Sequence, residues 1–306
     1  MKKQLLIAAV AATMATVSIA DVSISGSGKI NYTNTDTTGA DSVNTFTNEL
    51  DLNITGKSGD NTIFLNIENL DANGTGALNT KTAYMSSKVG DINVKVGSWY
   101  GADSLLGNGG AGNNRFSADT TIGGVKIQYE NQEAGDESVT LSGTVAGISI
   151  SHESHQDGDT DTSVSGSFGG VNATYRSWEQ DIETATATDK TSIEVSTEVQ
   201  GVTLTYAAVE NDGTGTTTSD AFFGTFATAV NDLEGFGLKT TLAGNTVQLK
   251  SYDVKEASTS ADDSYTKLVV TRALASGATA ELTYTSKDDA GTADVDTLDL
   301  ELFVKF

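Results

Sequence analysis

The last ten residues of the 306-residue sequence, TLDLELFVKF, alternate apolar and polar side chains at every position except Phe303. Because successive side chains of a β-strand point to opposite faces, Leu298 and Leu300 fall on one face, and Asp299 and Glu301 fall on the other. One face therefore suits lipid and the other suits water. A strand of a soluble sandwich could show the same alternation, but a sequence that stops on the aromatic Phe306 favours a closed barrel whose last strand pairs with its first.

The same alternation recurs from Val22 to the end in segments of about 8 to 11 residues, which is the segment length typical of membrane β-barrels. The connections between the segments alternate between short and long. The short ones carry glycine, which accepts the positive φ of tight hairpin turns, and they lie at Gly90, Gly123, Gly147, Gly169, Gly201 and Gly244. The long ones are polar and acidic, and they cover residues 33–45, 71–79, 179–189, 210–219, 256–263 and 287–296.

These patterns predict an all-β protein, a transmembrane antiparallel up-and-down β-barrel of roughly 16 to 18 strands around a water-filled lumen. A count of the segments gives about 18 strands. Residues 221–235 leave three possibilities open, because they can form one strand, part of a longer strand, or a packed loop.

The N-terminus has the composition of an export signal. Lys2 and Lys3 precede an apolar run over residues 5–19, and Ser18 and Ala20 supply the small residues expected before a cleavage point. The run is shorter than the roughly 20 apolar residues that a transmembrane helix needs. We expect a signal peptide over residues 1–20 and a mature barrel domain over residues 21–306.

Composition agrees with this class of fold. The sequence has no proline and no cysteine, and its hydrophobic fraction is 37%. The net charge is -23 at pH 7, and it becomes -25 in the mature chain because the signal peptide carries two lysines and no acidic residue. Nucleic acid is excluded as a partner, since a strongly acidic protein repels the phosphate backbone.

Residues 81–119 contain a strand with AYM, a tight turn at Gly90, a strand with VKVG, and the pair Tyr100 and Gly101, which opens a glycine-rich excursion to Asn114. This order of elements resembles that of the general trimeric porins of Gram-negative outer membranes. Residues 271–285, TRALASGATAELTYT, resemble the penultimate hairpin of that family. The closing aromatic residue also matches the end of its members.

The resemblance implies an outer-membrane porin that is exported through the periplasm and assembles into a homotrimer. It implies that Phe306 is the signal recognised by the barrel-assembly machinery, and that residues 100–114 form a constriction loop folded into the lumen. The sequence departs from the family at Ser98, where an arginine is usual, so one wall cation is missing. The family also most often has about 16 strands, slightly fewer than the segment count gives.

A loop in the lumen would act as a size filter, and charged side chains on the lumenal row would bias permeation by sign. Asp103 is the only charged residue of the predicted loop and the first candidate for the constriction. Alternation places further charged candidates on the lumenal row. The basic ones are Lys29, Lys95, Lys126 and Arg176, joined by Arg115 at the far end of the predicted loop, and the acidic ones are Glu49, Asp51, Glu68, Glu130, Glu194, Glu198, Asp299 and Glu301.

Acidic side chains outnumber basic ones on this row, which favours weak cation selectivity. The alternative is that most of the acidic charge lies on the outer loops, where salt screens it within about 8 Å. The predicted function is a passive diffusion channel for ions and small hydrophilic solutes, in the outer-membrane lipid, with no enzymatic activity and no cofactor.

The alternative function is that of a non-conducting structural or adhesive surface protein whose acidic loops bind divalent cations. Asp157, Asp159 and Asp161 are weak candidates for a Ca²⁺ site, because their carboxylates alternate as in a calcium loop without completing its pattern. His152 and His155 would lie on opposite faces of a strand, and their spacing is not that of a helical metal-binding pair. We expect both histidines to be polar residues near a rim.

Overall fold

The computed structural model of the chain describes residues 21–68, 79–102, 109–133, 136–181, 189–212, 216–256, 262–275, 277–289 and 293–306. The predicted signal peptide and Asp103 lie outside these residues. Across the described ranges, no helix has the length and the hydropathy needed to cross a membrane.

The strands of the described residues form one antiparallel sheet. They are β1 (Asp21–Thr37), β2 (Val43–Ser58), β3 (Asn61–Glu68), β4 (Asn79–Val89), β5 (Ile92–Ala102), β6 (Gly109–Ile122), β7 (Val125–Gln132), β8 (Asp136–Val145), β9 (Ile148–His155), β10 (Thr160–Phe168), β11 (Val171–Glu179), β12 (Asp189–Val199), β13 (Val202–Asp212), β14 (Thr216–Asp220), β15 (Gly224–Leu242), β16 (Asn245–Glu256), β17 (Asp262–Ala273), β18 (Ala278–Asp288) and β19 (Val295–Lys305).

The sheet closes on itself, because β1 pairs with β2 on one side and with β19 on the other. The short strand β14 pairs with β15, but β13 also pairs directly with β15 and so continues the wall past β14. Of the 19 strands, 18 therefore form the wall of the barrel. The predicted fold class and the upper strand count are confirmed.

The outer face of the barrel carries the apolar row that the sequence predicts. Ile30 is 58% exposed, Val96 51% and Leu300 50%. Residues paired across a ladder share a face, so the pair Ile30 and Leu302 continues this row across the seam between β1 and β19. An apolar surface of this extent, repeated around a closed sheet, is the kind of surface that lipid covers.

Tight turns join the strands at one rim. Ala146, Gln200 and Ala243 each have a positive φ and are each followed by a glycine that also has a positive φ, as in the pair Gln200 at 52° and Gly201 at 79°. Two positive φ values in succession define a type I′ turn, whose twist matches that of a hairpin. The longer connections, such as residues 38–42 and 156–159, lie at the other rim, so the two rims differ as the sequence predicts.

The two ends of the described chain meet at the seam of the barrel. The N–H of Gly26 donates to the carbonyl of Phe306 at 2.9 Å, and the N–H of Phe306 donates to the carbonyl of Gly26 at 3.0 Å. The Phe306 ring covers Gly26 so closely that a Cβ added to this glycine would lie 2.5 Å from the ring. The last residue therefore completes the seam with its backbone and covers Gly26 with its ring.

Deletion of Phe306 is expected to lower the free energy of unfolding by about 1–3 kcal/mol, since it removes two hydrogen bonds that contribute about 1 kcal/mol each. The Phe306→Ala variant keeps both backbone bonds and loses the ring contact with Gly26, so we expect a smaller loss. Urea unfolding of the refolded barrel in micelles, followed by tryptophan fluorescence, measures both values. Equal stability of the deletion variant and the wild type would contradict this role of the seam.

Candidate functional site in the barrel lumen

One group of charged side chains lies on the inner face at the seam. The ammonium of Lys29 on β1 lies 3.3 Å from the carboxylate of Glu301 on β19. Lys29 is also the register partner of Glu49 on β2. Two residues further along β2, the carboxylate of Asp51 accepts a hydrogen bond from the hydroxyl of Ser27 at 3.4 Å. The structure therefore brings together four of the candidate lumenal residues, Lys29, Glu49, Asp51 and Glu301.

A second group lies on β5, β6 and β7. The guanidinium of Arg115 lies 2.7 Å from the carboxylate of Glu130, and Arg115 is only 7% exposed. The ammonium of Lys95 lies 3.9 Å from the centre of the Trp99 ring and 4.2 Å from the centre of the Tyr84 ring. Both rings stabilise the positive charge through their electron-rich faces. Lys95 and Arg115 thus share one part of the wall.

The two remaining basic candidates lie apart from these groups. The ammonium of Lys126 lies 3.8 Å from the carboxylate of Asp119 and donates to the side-chain oxygen of Gln128 at 2.8 Å. Arg176 lies on β11, where its guanidinium is 3.6 Å from the carboxylate of Asp220. The basic candidates therefore line several parts of the lumen, and each of them faces an acidic side chain or an aromatic ring.

The predicted constriction loop, residues 100–114, consists largely of strand. β5 continues to Ala102 and β6 begins at Gly109, and these two residues are paired. The bounds predicted for the loop were wrong, because its described glycines lie within β5 and β6, which pair with each other over these residues. Asp103, the first candidate for the constriction, lies outside the described residues.

Ser98 does not lie on the lumenal row. It pairs with Ala83 and lies on the same face of β5 as Val94 and Val96, of which Val96 is 51% exposed on the outer face. A side chain at this position would point away from the lumen, so Ser98 leaves no gap among the wall cations.

A different segment folds into the lumen. This segment, the inner hairpin, consists of β14 and the first part of β15, residues 216–230, in which Asp220 pairs with Gly224. The second part of β15 belongs to the wall and pairs with β13 and β16. The register shifts between Val230 and Asp232, and a shift of this kind bends a strand. The bend turns the tip of the hairpin back along the wall.

The inner hairpin rests on an apolar part of the lumenal wall. Phe222 and Phe223 at its tip are 5% and 6% exposed, and Gly237 leaves the space for them, since a Cβ there would lie 2.7 Å from the Phe222 ring. Burial of two phenylalanine side chains contributes roughly 3–6 kcal/mol. The other members of this buried cluster are Ala207, Val209, Val230, Leu233, Tyr252 and Val254.

Polar contacts fix the tip of the inner hairpin to three wall strands. The carboxylate of Asp220 accepts a hydrogen bond from the N–H of Phe222 at 2.7 Å and another from the hydroxyl of Ser192 on β12 at 3.1 Å. The same carboxylate lies 3.6 Å from the guanidinium of Arg176 on β11. The ammonium of Lys250 on β16 donates to the carbonyl of Phe222. The hairpin is therefore a fixed part of the lumen surface.

The alternating pattern of the sequence does not single out Asp220, Phe222, Ser192 or Lys250. A signal for Phe222 was present, because two adjacent phenylalanines break the alternation and cannot both face lipid. A second signal was the run GFG at residues 235–237, whose glycines occupy the inner row and leave space beside the wall. Ser192 and Lys250 carry no such signal, since polar residues are expected everywhere on that row.

The three Ca²⁺ candidates are divided between a turn and the wall. The carboxylate of Asp157 accepts the N–H of Asp159 at 3.2 Å, and the carboxylate of Asp159 accepts the N–H of Asp181 at 3.0 Å. Burial raises the pKa of Asp159, and the nearby negative charge of Asp157 raises it further. Asp161 is 2% exposed and lies beside His155 on the wall. Among the described residues, these three carboxylates do not form a common three-ligand group.

No protein-family model matches this sequence, and no curated protein matches it. The fold itself places the chain in the class of closed antiparallel barrels formed by outer-membrane proteins. The chain is similar to OpdO of Pseudomonas aeruginosa, with a TM-score of 0.73 and 11% identity over 94% of this chain and 98% of that one. It is also similar to OccAB4 of Acinetobacter baumannii, with a TM-score of 0.71 and 8% identity over 94% and 99% of the two chains.

The outer membrane protein OpdK of Pseudomonas aeruginosa is a third structure of this kind, with a TM-score of 0.70 and 11% identity over 94% of this chain and 99% of that one. The aligned regions cover nearly the whole of each chain. At identities this low the similarity concerns the fold and not the chemistry of the lumen, which has to be argued from the side chains of this chain.

Proposed function

We propose that this chain is a passive diffusion channel of a Gram-negative outer membrane, with ions and small hydrophilic solutes as its cargo. The observation that carries the proposal is the combination of a closed 18-strand wall with a charged inner row. Barrels of this size leave an aqueous channel when their inner face is polar. The apolar outer row supplies the surface for outer-membrane lipid.

The inner hairpin supports the channel function because it occupies part of the lumen and leaves the barrel wall complete. Its tip carries two buried aromatic rings and one carboxylate that is fixed by Ser192 and Arg176. A solute passing this level meets a surface whose position is set by packing and hydrogen bonds. The proposed transport is a physical diffusion step, so it needs neither a cofactor nor a catalytic residue.

Weak cation selectivity remains part of the proposal. The lumenal bases described above each face an acid or an aromatic ring, and acidic side chains still outnumber them on the lumenal row, where the carboxylates of Glu49, Asp51 and Glu68 lie within 4.8 Å of one another. The remaining excess of negative charge in the sequence, -23 in total, acts through the loops at the rim. Screening limits such a field to about 8 Å at physiological salt, which makes the expected preference for cations small.

The test is single-channel recording of the refolded protein in a planar bilayer under a salt gradient. We expect stepwise conductance with a reversal potential that indicates a small preference for cations. Asp103→Asn is expected to reduce this preference, whereas Asp60→Asn, in the tight turn between β2 and β3, serves as the control and is expected to change it less. A folded barrel that conducts no ions would contradict the proposal and favour a structural or adhesive role.

Two partners belong to the proposal on the strength of the sequence resemblance. These are a homotrimer of the barrel and the assembly machinery that would recognise Phe306. The mass of the native detergent complex, measured by light scattering, tests the trimer. A monomeric mass would remove the trimer from the proposal and leave the channel in place, because each barrel encloses its own lumen.

The Ca²⁺ interpretation of the acidic loops finds less support. Asp157 already accepts a hydrogen bond from the N–H of Asp159, and Asp159 accepts one from the N–H of Asp181, just after β11. Calcium prefers six to eight oxygen ligands, and Asp161 lies on the wall rather than in the turn. We therefore propose no role for calcium in the channel.

A further inference from the structure

We propose that Glu153, His155 and Asp161 form a binding site for Zn²⁺, or for a chemically similar divalent transition metal, on the lumenal wall. Glu153 and His155 lie on β9, and Asp161 lies on β10. Neither the diffusion of solutes nor the charge preference of the channel requires this site, so it adds a second property to the barrel.

Register and alternation bring the three side chains to one place. Glu153 and Asp161 are direct partners across the β9–β10 ladder, and His155 follows Glu153 by two residues on the same face of β9. The Nε2 atom of His155 lies 3.4 Å from Oδ2 of Asp161 and 3.9 Å from Oε1 of Glu153. One ligand atom from each of the three residues lies within 4.8 Å of the other two.

These separations are those of ligands around one metal ion. A tetrahedral Zn²⁺ site with bonds of about 2.0–2.2 Å places its ligand atoms about 3.3–3.6 Å from one another. A hydrogen bond between an imidazole N–H and a carboxylate would bring the nitrogen and the oxygen to about 2.7–3.2 Å. The distance of 3.4 Å between His155 and Asp161 falls in the first range. The distance of 3.9 Å between His155 and Glu153 lies just above it.

Two of the three proposed ligands are buried, and the third is partly exposed. The side chains of His155 and Asp161 are 9% and 2% exposed, whereas that of Glu153 is 32% exposed. Two buried ligands keep their positions in the absence of an ion. The exposed third ligand leaves an approach from the lumen and room for a water molecule as the fourth ligand. A bound cation would also compensate two carboxylates at a place with little access to water.

The donor atoms select the class of metal. The site offers one imidazole nitrogen and two carboxylates, a combination that Zn²⁺ accepts in protein sites. Calcium prefers six to eight oxygen ligands, and Mg²⁺ prefers oxygen ligands and retains several waters. The imidazole therefore favours a transition metal over either of these ions.

The chain provides a matched control for the experiment. It has two histidines in total, and His152 lies on the other face of β9, where its Nδ1 atom is 2.9 Å from the hydroxyl oxygen of Thr162. The refolded barrel in micelles is titrated with Zn²⁺ by calorimetry. We expect one saturable site in the wild type, an affinity at least about tenfold lower in His155→Gln, and no change in His152→Gln.

A second measurement uses the wild-type barrel and does not depend on the folding of a ligand variant. With isotope-labelled histidine, Zn²⁺ is expected to shift the NMR signals of one imidazole ring, that of His155, and to leave those of His152 in place. The His152→Gln variant assigns the two rings. The proposal is overturned if Zn²⁺ shifts neither ring or both rings, or if His155→Gln binds as tightly as the wild type, as it would if the acidic loops alone held the ion.

Discussion

Replacement of residues 213–229 by an Asn-Gly turn is expected to increase the unitary conductance of the channel by about twofold or more, because the conductance of a water-filled barrel grows with its open cross-section. The replacement removes the whole inner hairpin except Val230 and leaves the barrel wall complete. Glu210 and Asp232 form the last pair of the β13–β15 ladder, at the end next to the inner hairpin. A two-residue type I′ turn can therefore join the strands close to that point.

The control for this deletion lies at the same rim. Residues 38–42 connect β1 and β2 and are exposed to solvent, so their replacement by Asn-Gly is expected to change the conductance little. Planar-bilayer recordings of the two variants and the wild type give the comparison. An unchanged conductance in the variant without the hairpin would mean that the hairpin does not limit the flow of ions.

A point substitution separates the anchoring of the hairpin from its presence. Phe222 is 5% exposed in the apolar cluster, whereas Phe168 is 91% exposed at the end of β10. Truncation of a buried phenylalanine to alanine costs about 3–5 kcal/mol. The substitution weakens the contact between the inner hairpin and the wall. We therefore expect Phe222→Ala to give a larger and noisier conductance. Phe168→Ala is expected to behave as the wild type.

The position of the hairpin can be checked directly in the same preparations. The sequence has no cysteine, and the side-chain oxygens of Ser192 and Asp220 are 3.1 Å apart. Cysteines introduced at these two positions are expected to form a disulfide in the folded barrel. The crosslink should keep the conductance at the wild-type level even when Phe222→Ala is added, because it holds the tip against β12.

The wall of the barrel could be predicted from sequence because its signals are local. Alternation of apolar and polar residues assigns each strand and each face within a few residues, and glycine pairs such as Gly169 and Gly170 mark the turns. Once the faces are known, the side of the wall on which Lys29 or Lys126 lies follows from the alternation of side chains alone. The closure between β1 and β19 also follows from the pattern at the end of the chain.

The contents of the lumen could not be predicted in this way. The glycine-rich residues 109–114 suggested a loop, but these residues continue a hairpin whose length depends on its pairing partner. The inner hairpin depends on an apolar area that β13, β15 and β16 form only after they are paired. Likewise, alternation along β9 predicts that His152 and His155 lie on opposite faces. Only the register of β9 and β10 places Asp161 opposite Glu153.

Gly97→Ala is expected to prevent most of the protein from folding, because strand β4 passes too close to this glycine for any side chain. A Cβ at Gly97 would overlap the carbonyl oxygen of Ala83 and lie 2.6 Å from Cα of Tyr84. Gly97 also has a φ of 142°, which non-glycine residues rarely adopt. A conformation of this kind costs about 1–3 kcal/mol in a residue with a side chain, before any steric overlap is counted.

The matched control is Gly28→Ala on β1, where the nearest atom to the added Cβ, a side-chain carbon of Leu50, would be at an ordinary distance of 3.7 Å. The folded fraction after refolding into lipid vesicles is measured from the shift in electrophoretic mobility between unheated and heated samples. We expect a folded fraction near that of the wild type for Gly28→Ala and only a small one for Gly97→Ala. Equal fractions in the two variants would contradict the close approach of the strands.

A double variant identifies which atoms are responsible for the loss. The two nearest atoms to the added Cβ at Gly97 belong to the backbone of β4, and the third is Cβ of Tyr84. Alanine retains this Cβ, so Tyr84→Ala is not expected to rescue Gly97→Ala. Rescue would instead show that crowding by the Tyr84 ring, which lies 4.2 Å from the ammonium of Lys95 and stacks on Phe64, makes glycine necessary at this position. Without rescue, the separation of the two strand backbones is what requires a glycine in this part of the lumenal wall.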